Sequence, residues 1–562
     1  MRPFYRTFLA ALLLLGGCAR ARFGALPPPE LGTRADPEKL AAHRKYFSDP
    51  KLEGRVPGTR GFDLAARYLV QQFSAMGLEP AGADGSYFSP VEETAAVRWG
   101  PHTDLGFASG DPESVESGPG KGVVFTAQGM DYAVAPFSSE GEFQAGVLFG
   151  GYCTRAKGKD DLLDVDVKGR ALLCLRGGPL DASFRASDEY KVFHARSLGA
   201  AAVLFISGRS ERELPVFIPS PQSEEAGLPV YYVTSDLAGR IFQLAGEGAK
   251  FTAIQRQIPS KGRPRALPLG DVRAGGAVEL VREKQVLPNV VGWIHPPTGP
   301  AGEAVVVGTS LGGSSEAPGK FLELARVLQG ERPRLRRSIL FAAFADGPSG
   351  GRGASALLEN FKAAKLTCLV NLAARAERGS EKVTVQFAGA KTGEGIAEMA
   401  GHLGKEARPS SPDSYLGPEA AFWAREVPAL RASFLSPEGI GVTARLVAAL
   451  ASDPGVPGFA EPEDFLLGPP GEAVSSRGIL VDPAPVPGGG ARVAAVLQGL
   501  PAGAAGLRSG DAIVRVGDQD VRSARELFFA FSDLAPGQEA QVFYRRRSRV
   551  VGTRLAAPAR LP

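Results

Sequence analysis

Hydrophobic positions along the chain change period from one stretch to the next. Over 36–47 and 61–76 apolar residues recur at helical spacing, which predicts two amphipathic helices. The segment between them, from Leu52 to Gly61, is rich in turn formers. Gly77 and Pro80 end the second helix, as a C-cap and a breaker. From 128 to 262 short apolar runs at 146–150, 171–175, 201–206 and 228–233 alternate with glycine-rich turns, which predicts a β-rich region. Residues 262–275 are rich in Gly, Pro and Arg and read as a linker. From 276 to 452 buried-strand runs (290–293, 304–307, 339–344, 367–372) alternate with helical ones (321–328, 354–361). Such alternation predicts an α/β sheet with helices on both faces. Residues 453–475, rich in Pro and Gly, read as a second linker, and 476–557 as a compact last domain. The 562 residues exceed what one hydrophobic core organises, so several domains are expected. No internal repeats are seen.

The N-terminus carries its own pattern. Arg2 and Arg6 precede an apolar stretch over 8–15 that is too short for a permanent bilayer span. Leu15-Gly16-Gly17-Cys18 follows. This resembles the bacterial lipoprotein signal, which implies removal of 1–17 and lipidation of Cys18; an ordinary secretory signal with an incidental cysteine is the alternative. Ala19, in place of an acidic residue, implies the outer membrane, facing periplasm or surface. Residues 18–35, with Pro27-Pro28-Pro29, read as an extended tether. No later run is long and apolar enough to span a membrane.

Formal net charge is +4, and loss of Arg2 and Arg6 would lower it by two. That balance, with no basic stripe interleaved with aromatics, gives no support for nucleic acid as a partner. Three cysteines follow Cys18. Cys174 and Cys368 lie in apolar runs and read as buried thiols. A Cys153–Cys174 disulfide is open in an oxidising compartment, and no metal-type cysteine pair occurs.

The stretch 43–91 resembles the opening of the bacterial zinc aminopeptidases of peptidase clan MH, family twenty-eight. "LEGR-x-PGT-x-G" appears as Leu52 to Gly61, and "GL-x-PAG…GSYF" as Gly77, Leu78, Pro80, Ala81, Gly82, Gly85, Ser86, Tyr87 and Phe88. Residues 128–262 resemble the protease-associated domain inserted in these peptidases, through Gly150-Gly151-Tyr152-Cys153, Asp160-Asp161, 164–170 and Gly199-Ala200-Ala201. Asn289-Val290-Val291-Gly292 is similar to the family's "NVVG" strand. Residues 476–557 resemble a bacterial PDZ domain, through Leu500-Pro501-Ala502, Ala505-Gly506-Leu507, Gly510-Asp511-Ala512-Ile513 and Val516-Gly517. The implied fold class is an α/β zinc-exopeptidase-like core (36–127 and 276–452) with a mixed sheet, a β-rich protease-associated insert and a C-terminal PDZ-like domain.

The family's dizinc chemistry needs imidazole and carboxylate ligands and a carboxylate base. Here Ser310 stands at the first His position and Gly312 at the Asp two residues on. No Asp occurs between Asp271 and Asp346. The adjacent glutamates fall on Gly347 and Pro348, framed by Phe341, Phe344, Gly350 and Gly353. The Asp of "N-L-D" falls on Ala373. "DH-x-x-F" falls on Pro418-Glu419-Ala420-Ala421-Phe422, and the last His-bearing loop is reduced to 436–441. The five histidines, His43, His102, His194, His295 and His402, show no ligand spacing. Neither metal ligands nor catalytic residues are therefore expected, and no cofactor.

Gly308-Thr309-Ser310-Leu311-Gly312 also matches the G-x-S-x-G elbow of serine esterases, with Asp346 and His402 following in order. Pro318 and Gly319 delay the helix that should start at the serine. The expectation drawn from all of this is a lipid-anchored envelope pseudopeptidase that binds peptides or proteins. A zinc aminopeptidase with rearranged ligands and an esterase acting through Ser310 are the alternatives. In PDZ domains a peptide C-terminus adds a strand to a sheet edge. The resemblance places the carboxylate loop at Gly478, Ile479, Leu480 and Val481 and the groove helix at 524–534. Leu527 and Phe531, four residues apart, share one face of it; they would form the opposite wall or belong to the core.

Overall fold

Asp36 caps the first helix, α1 (Pro37–Phe47), by accepting from the N–H groups of Glu38 and Lys39. Thr59 caps α2 (Arg60–Ala75), whose Phe62, Ala65, Ala66, Leu69 and Phe73 are buried along one face. The computed structural model describes residues 28–109, 122–156, 159–178, 183–207, 214, 224–257, 264–299, 301–346, 351–372, 384–410, 417–461, 476–482, 484–497, 499–535 and 537–556. They divide into two compact units. One comprises the chain up to Val91, Val286–Ile513 and Ala535–Pro562; the other comprises Glu92–Gln285 and Val514–Leu534.

After β1 (Glu79–Pro80) and β2 (Phe88–Trp99) the chain builds the second unit. Its strands are β3 (Asp104–Ser109), β4 (Gly122–Val124), β5 (Tyr132–Val134), β6 (Gly141–Phe149), the small hairpin β7 (Arg155–Ala156) and β8 (Lys159–Asp160), β9 (Ala171–Leu175), β10 (Ala202–Ile206), β11 (Val230–Val233) and β12 (Leu267–Val278). Helices α3 (Asp188–Ser197), α4 (Ser235–Leu244) and α5 (Gly248–Gln257) interleave with them. The main sheet runs β4-β3-β12-β6-β9-β10-β11-β5. The β-rich insert is thus larger than 128–262. It takes in β3 and β4, and β12 fills most of the expected linker 262–275. Composition misleads there: the stretch is rich in Gly, Pro and Arg, yet Leu269, Val272 and Ala274 are buried along β12. Cys153 and Cys174 form a disulfide, so Cys174 is not a free thiol, whereas Cys368 is one and is buried.

β13 (Leu280–Ile294) returns the chain to the first unit, followed by β14 (Glu303–Ser310), α6 (Glu316–Gly330), β15 (Ser338–Phe344), α7 (Arg352–Asn360), β16 (Lys365–Leu372), β17 (Val385–Ala388), α8 (Ile396–Gly401), β18 (Ala407–Ser410), α9 (Pro418–Trp423), β19 (Ala429–Ser433) and α10 (Glu438–Ser452). The sheet order is β1-β13-β15-β14-β16-β19-β17-β18. β15, β14, β16 and β19 are mutually parallel, and β13 and β17 run antiparallel to their neighbours β15 and β19. Alternate residues of β14 enter two cores: Val305 and Val307 pack with α2, α6 and α10, and Val306 packs with α7 and α9. Both faces of the sheet are covered, as expected.

The two proline-rich joins are docked where they are described. The Gly32 N–H donates to Glu331 (2.8 Å), Arg334 holds the Glu30 carbonyl (2.6 Å), and Leu31 and Ala35 pack on the core, so 28–35 is no free tether. Within 453–461 Phe459 bridges to Gly393, and the Glu461 carboxylate accepts from the N–H groups of Val496 and Ser509. The last segment holds β20 (Ile479–Val481), β21 (Ala491–Val496), α11 (Pro501–Ala504), β22 (Ala512–Val516), β23 (Gln519–Asp520), α12 (Ala524–Ser532), β24 (Glu539–Arg546) and β25 (Arg549–Ala556). Within this segment, Val514–Leu534 belongs to the second compact unit and the rest to the first. There the insert grips α12: Arg196 donates to both oxygens of Glu526 (2.7 Å each), the Tyr190 hydroxyl donates to Asp533 (2.8 Å), and the Phe529 ring sits among Phe184, Tyr190 and Phe193.

Candidate functional site

The C-terminal ends of β14 and β15 are where the resemblance places metal chemistry. Ser310, half-buried, ends β14 opposite Phe344, and the Leu311 N–H donates to the Phe344 carbonyl (3.0 Å). Gly312 follows. A Cβ there would lie 2.9 Å from the Asp346 carbonyl and 3.3 Å from that of Arg55, so no ligand side chain fits at this position. Arg55, from the "LEGR" segment, is buried beneath the loop and donates to the carbonyls of Leu311 (3.0 Å), Phe47 and Gly313. Burial holds its pKa below the usual guanidinium range. Asp346 is only 2% exposed, and its carboxylate accepts from the Gly353 N–H (2.6 Å).

On the other face of the sheet, α9 presents Glu419 between β16 and β19. Its Oε1 accepts from Asn371 Nδ2 (2.8 Å) and Arg431 Nε (3.0 Å), and its Oε2 from Arg431 Nη2 (3.1 Å). Burial pushes the Glu419 pKa up, but the Arg431 charge and these hydrogen bonds outweigh it and leave the carboxyl below its ordinary value. Sequence reading treated this position only as one that lacks the family's polar pair. The ion pair could not be seen, because Glu419 and Arg431 sit on different elements with no periodic relation.

These groups do not fit a zinc pair. A single neutral hydroxyl, a carboxylate tied to backbone and a carboxylate saturated by Arg431 and Asn371 supply no ligand set. Gly347, Pro348 and Ala373 lie outside the described residues. His43 bonds Tyr68 (2.8 Å), His295 bonds Ser338 (2.8 Å) and His194 bonds Asp160 (2.9 Å); His102 and His402 are exposed. Among the described residues no three His, Cys, Asp or Glu side chains gather as a metal site.

Nor is the esterase triad assembled. His402 caps α8, which packs against β18 at the sheet's edge, while Ser310 ends β14 four strands away. At ~4.8 Å per strand that separation is about 19 Å. No hydrogen bond joins Ser310 to His402.

The second candidate is the start of the last segment. Gly478 has φ +82°, and a Cβ on it would lie 2.7 Å from Leu500 Cβ, so glycine is required. β20 follows as an end strand, paired among the described residues with β21 alone. Ile479 and Leu480 are 1% and 3% exposed, and Leu480 belongs to the same buried cluster as Ala494, Ala495, Trp293 and Trp423; Val481 is half-buried. Just before the loop lies Arg477, which sequence reading did not single out; its guanidinium is buried, and burial pushes its pKa down to about 10. Asp482, just after β20, lies 3.6 Å from Arg492, and burial raises its pKa. Leu527 and Phe531 lie on α12 as expected and are 0% and 1% exposed. Cys18 lies outside the described residues.

A mixed α/β core, a β-rich insert and a C-terminal PDZ domain therefore make up the architecture. Residues 468–555 match the family described as PDZ domain. Among solved structures the chain is similar to an aminopeptidase from Aneurinibacillus sp. strain AM-1, at 14% identity over 77% of this chain and 98% of that one, with a TM-score of 0.40. It is similar to BSAP, a zinc aminopeptidase from Bacillus subtilis, at 14% identity over 75% and 95% with a TM-score of 0.38. A peptidase M28 precursor from Shewanella amazonensis gives 12% identity over 76% and 99% with a TM-score of 0.33. No curated protein matches the chain.

Proposed function

We propose that this protein is a noncatalytic, peptide-binding relative of the zinc aminopeptidases, anchored to the bacterial envelope through a lipid on Cys18. β20 carries the binding half of this reading. It is an end strand inside a segment that matches the PDZ family, it follows a glycine that only a tight backbone loop needs, and a buried arginine precedes it. An extended peptide pairs along the strand edge, and the N–H groups of 478–481 receive its terminal carboxylate. The noncatalytic half rests on Ser310, Gly312, Gly347, Pro348 and Ala373, which stand where ligands and base are needed.

Panning a C-terminal peptide library against the full chain tests the first half. The expected result is enrichment that disappears when the peptide carboxylate is amidated; enrichment indifferent to amidation, or none, refutes it. Zinc content, measured with aminoacyl-substrate turnover in the same sample, tests the second. About two zinc ions per chain after dialysis would restore the aminopeptidase reading.

A further inference from the structure

The first described residues are fixed at one place on the first unit. Pro28 is buried, and Arg445 of α10 donates to the Pro29 carbonyl (3.3 Å) and pairs with Glu30 (2.9 Å). The chain then runs back along α6, with Thr33 against Gly330 and the Asp36 N–H donating to Glu323. Pro28 is thus pinned where the C-terminal end of α6 lies beside α10.

Two charged turns border this point. Arg334, which holds the Glu30 carbonyl, pairs with Glu331 (3.0 Å), and the exposed Arg336 follows it. Arg445 also pairs with Glu406 (3.2 Å), which sets the exposed Lys405 beside the start of the chain. Arg334 and Arg445 therefore match the acids, whereas Arg336 and Lys405 have no ion-pair partner among the described residues.

Nine residues, 19–27, separate Pro28 from Cys18. Ten extended residue steps reach at most about 36 Å, so a lipid on Cys18 holds this point within that distance of a bilayer. The nine include Arg20, Arg22, Phe23 and Leu26, side chains that favour a headgroup layer over water. Leu480 of β20 belongs to the buried cluster of α7 and α9, on the face of the nine-stranded sheet opposite α6 and α10.

We propose that the face built from α10 and residues 334–336 and 404–406 rests on the anionic headgroups of the bilayer, with the layer that carries β20 turned to water. The proposal rests on the lipid-anchor reading above. The length of the linker and the place where it ends select the surface. The unmatched Arg336 and Lys405 select the sign of its charge, since each basic side chain beside an anionic bilayer strengthens the contact about fivefold.

The test uses the full lipidated chain in detergent, in phosphatidylcholine vesicles and in vesicles that also carry phosphatidylglycerol. A water-soluble amine reagent modifies Lys405. Lys362, exposed just after α7 in the opposite layer, is the internal reference. The ratio of Lys405 to Lys362 modification should fall about fivefold in the phosphatidylglycerol vesicles, and Arg336→Glu or roughly 0.5 M salt should restore most of it. An unchanged ratio in a chain whose mass carries the lipid overturns the proposal and leaves the anchor standing. Protection that is equal in phosphatidylcholine, or indifferent to both Arg336→Glu and salt, overturns the charged contact. Protection of Lys362 instead of Lys405 puts the other layer on the bilayer and overturns it as well. A mature mass without lipid refutes the anchor reading and the proposal with it.

Discussion

Replacing Glu419 by Gln perturbs a single buried charge and leaves side-chain volume nearly unchanged. The Arg431 guanidinium, whose side chain is 11% exposed, then lacks its counter-charge. Removing one member of such a pair costs about 3–5 kcal/mol, since the remaining charge stays desolvated. For a unit of this size about 2–4 °C of melting temperature accompany each kcal/mol, so a fall of roughly 6–20 °C is expected. Trp423, buried on the same helix, makes tryptophan fluorescence a direct reporter. Glu419→Leu with Arg431→Met removes both charges and should recover most of the loss. The pH dependence has a definite sign. Arg431 and Asn371 hold the folded carboxyl below its ordinary value of 4.5, so the stabilisation is complete above that pH and is lost as pH falls through the lower, folded value. A Glu419→Gln shift under about 1 °C, or a double variant less stable than the single one, would show that the pair does not hold this face of the sheet together.

Other outcomes follow from the same observations. Zinc added to the protein should leave its melting temperature unchanged, because among the described residues no ligand set stands at the ends of β14 and β15; a saturable rise at micromolar zinc would contradict this. Gly478→Val should weaken peptide binding about five- to 150-fold, the equivalent of 1–3 kcal/mol of backbone strain at φ +82°, and titration of the full chain measures it. Cys18→Ala should move the protein from the membrane to the soluble fraction and change its mature mass; unchanged partitioning contradicts the lipid anchor.

The regular elements were legible wherever burial leaves a period. The two opening helices, β9, β10 and the core strands β13, β14, β15 and β16 all overlap the apolar runs that predict them. What stayed hidden depends on distant partners. Residues 28–35 look like a tether because only Leu31 and Ala35 reach the core, and the rest of the hold comes from Glu331, Arg334 and Arg445 on distant elements. β12 looks like a linker because its buried Leu269, Val272 and Ala274 are interspersed with Gly, Pro and Arg. Of the candidate sites, the helix expected at 524–534 is α12, but the burial of Leu480, Leu527 and Phe531 is a matter of packing that no local pattern encodes. Glu419 meets Arg431, and Glu526 meets Arg196, only after the chain has turned back on itself.

The grip on α12 also bears on how the protein is made. Arg196 and Glu526 are 330 residues apart, so the aromatic socket of the insert is synthesised long before the ring that fills it. At ~5–20 residues per second the ribosome needs about 20–70 s to supply Phe529. Throughout that interval Phe184, Tyr190 and Phe193 lack their cover, and a transcript truncated before residue 524 would leave them so permanently. Insert-only fragments should therefore aggregate more readily than the same fragments supplied with a helix bearing Glu526, Phe529 and Asp533.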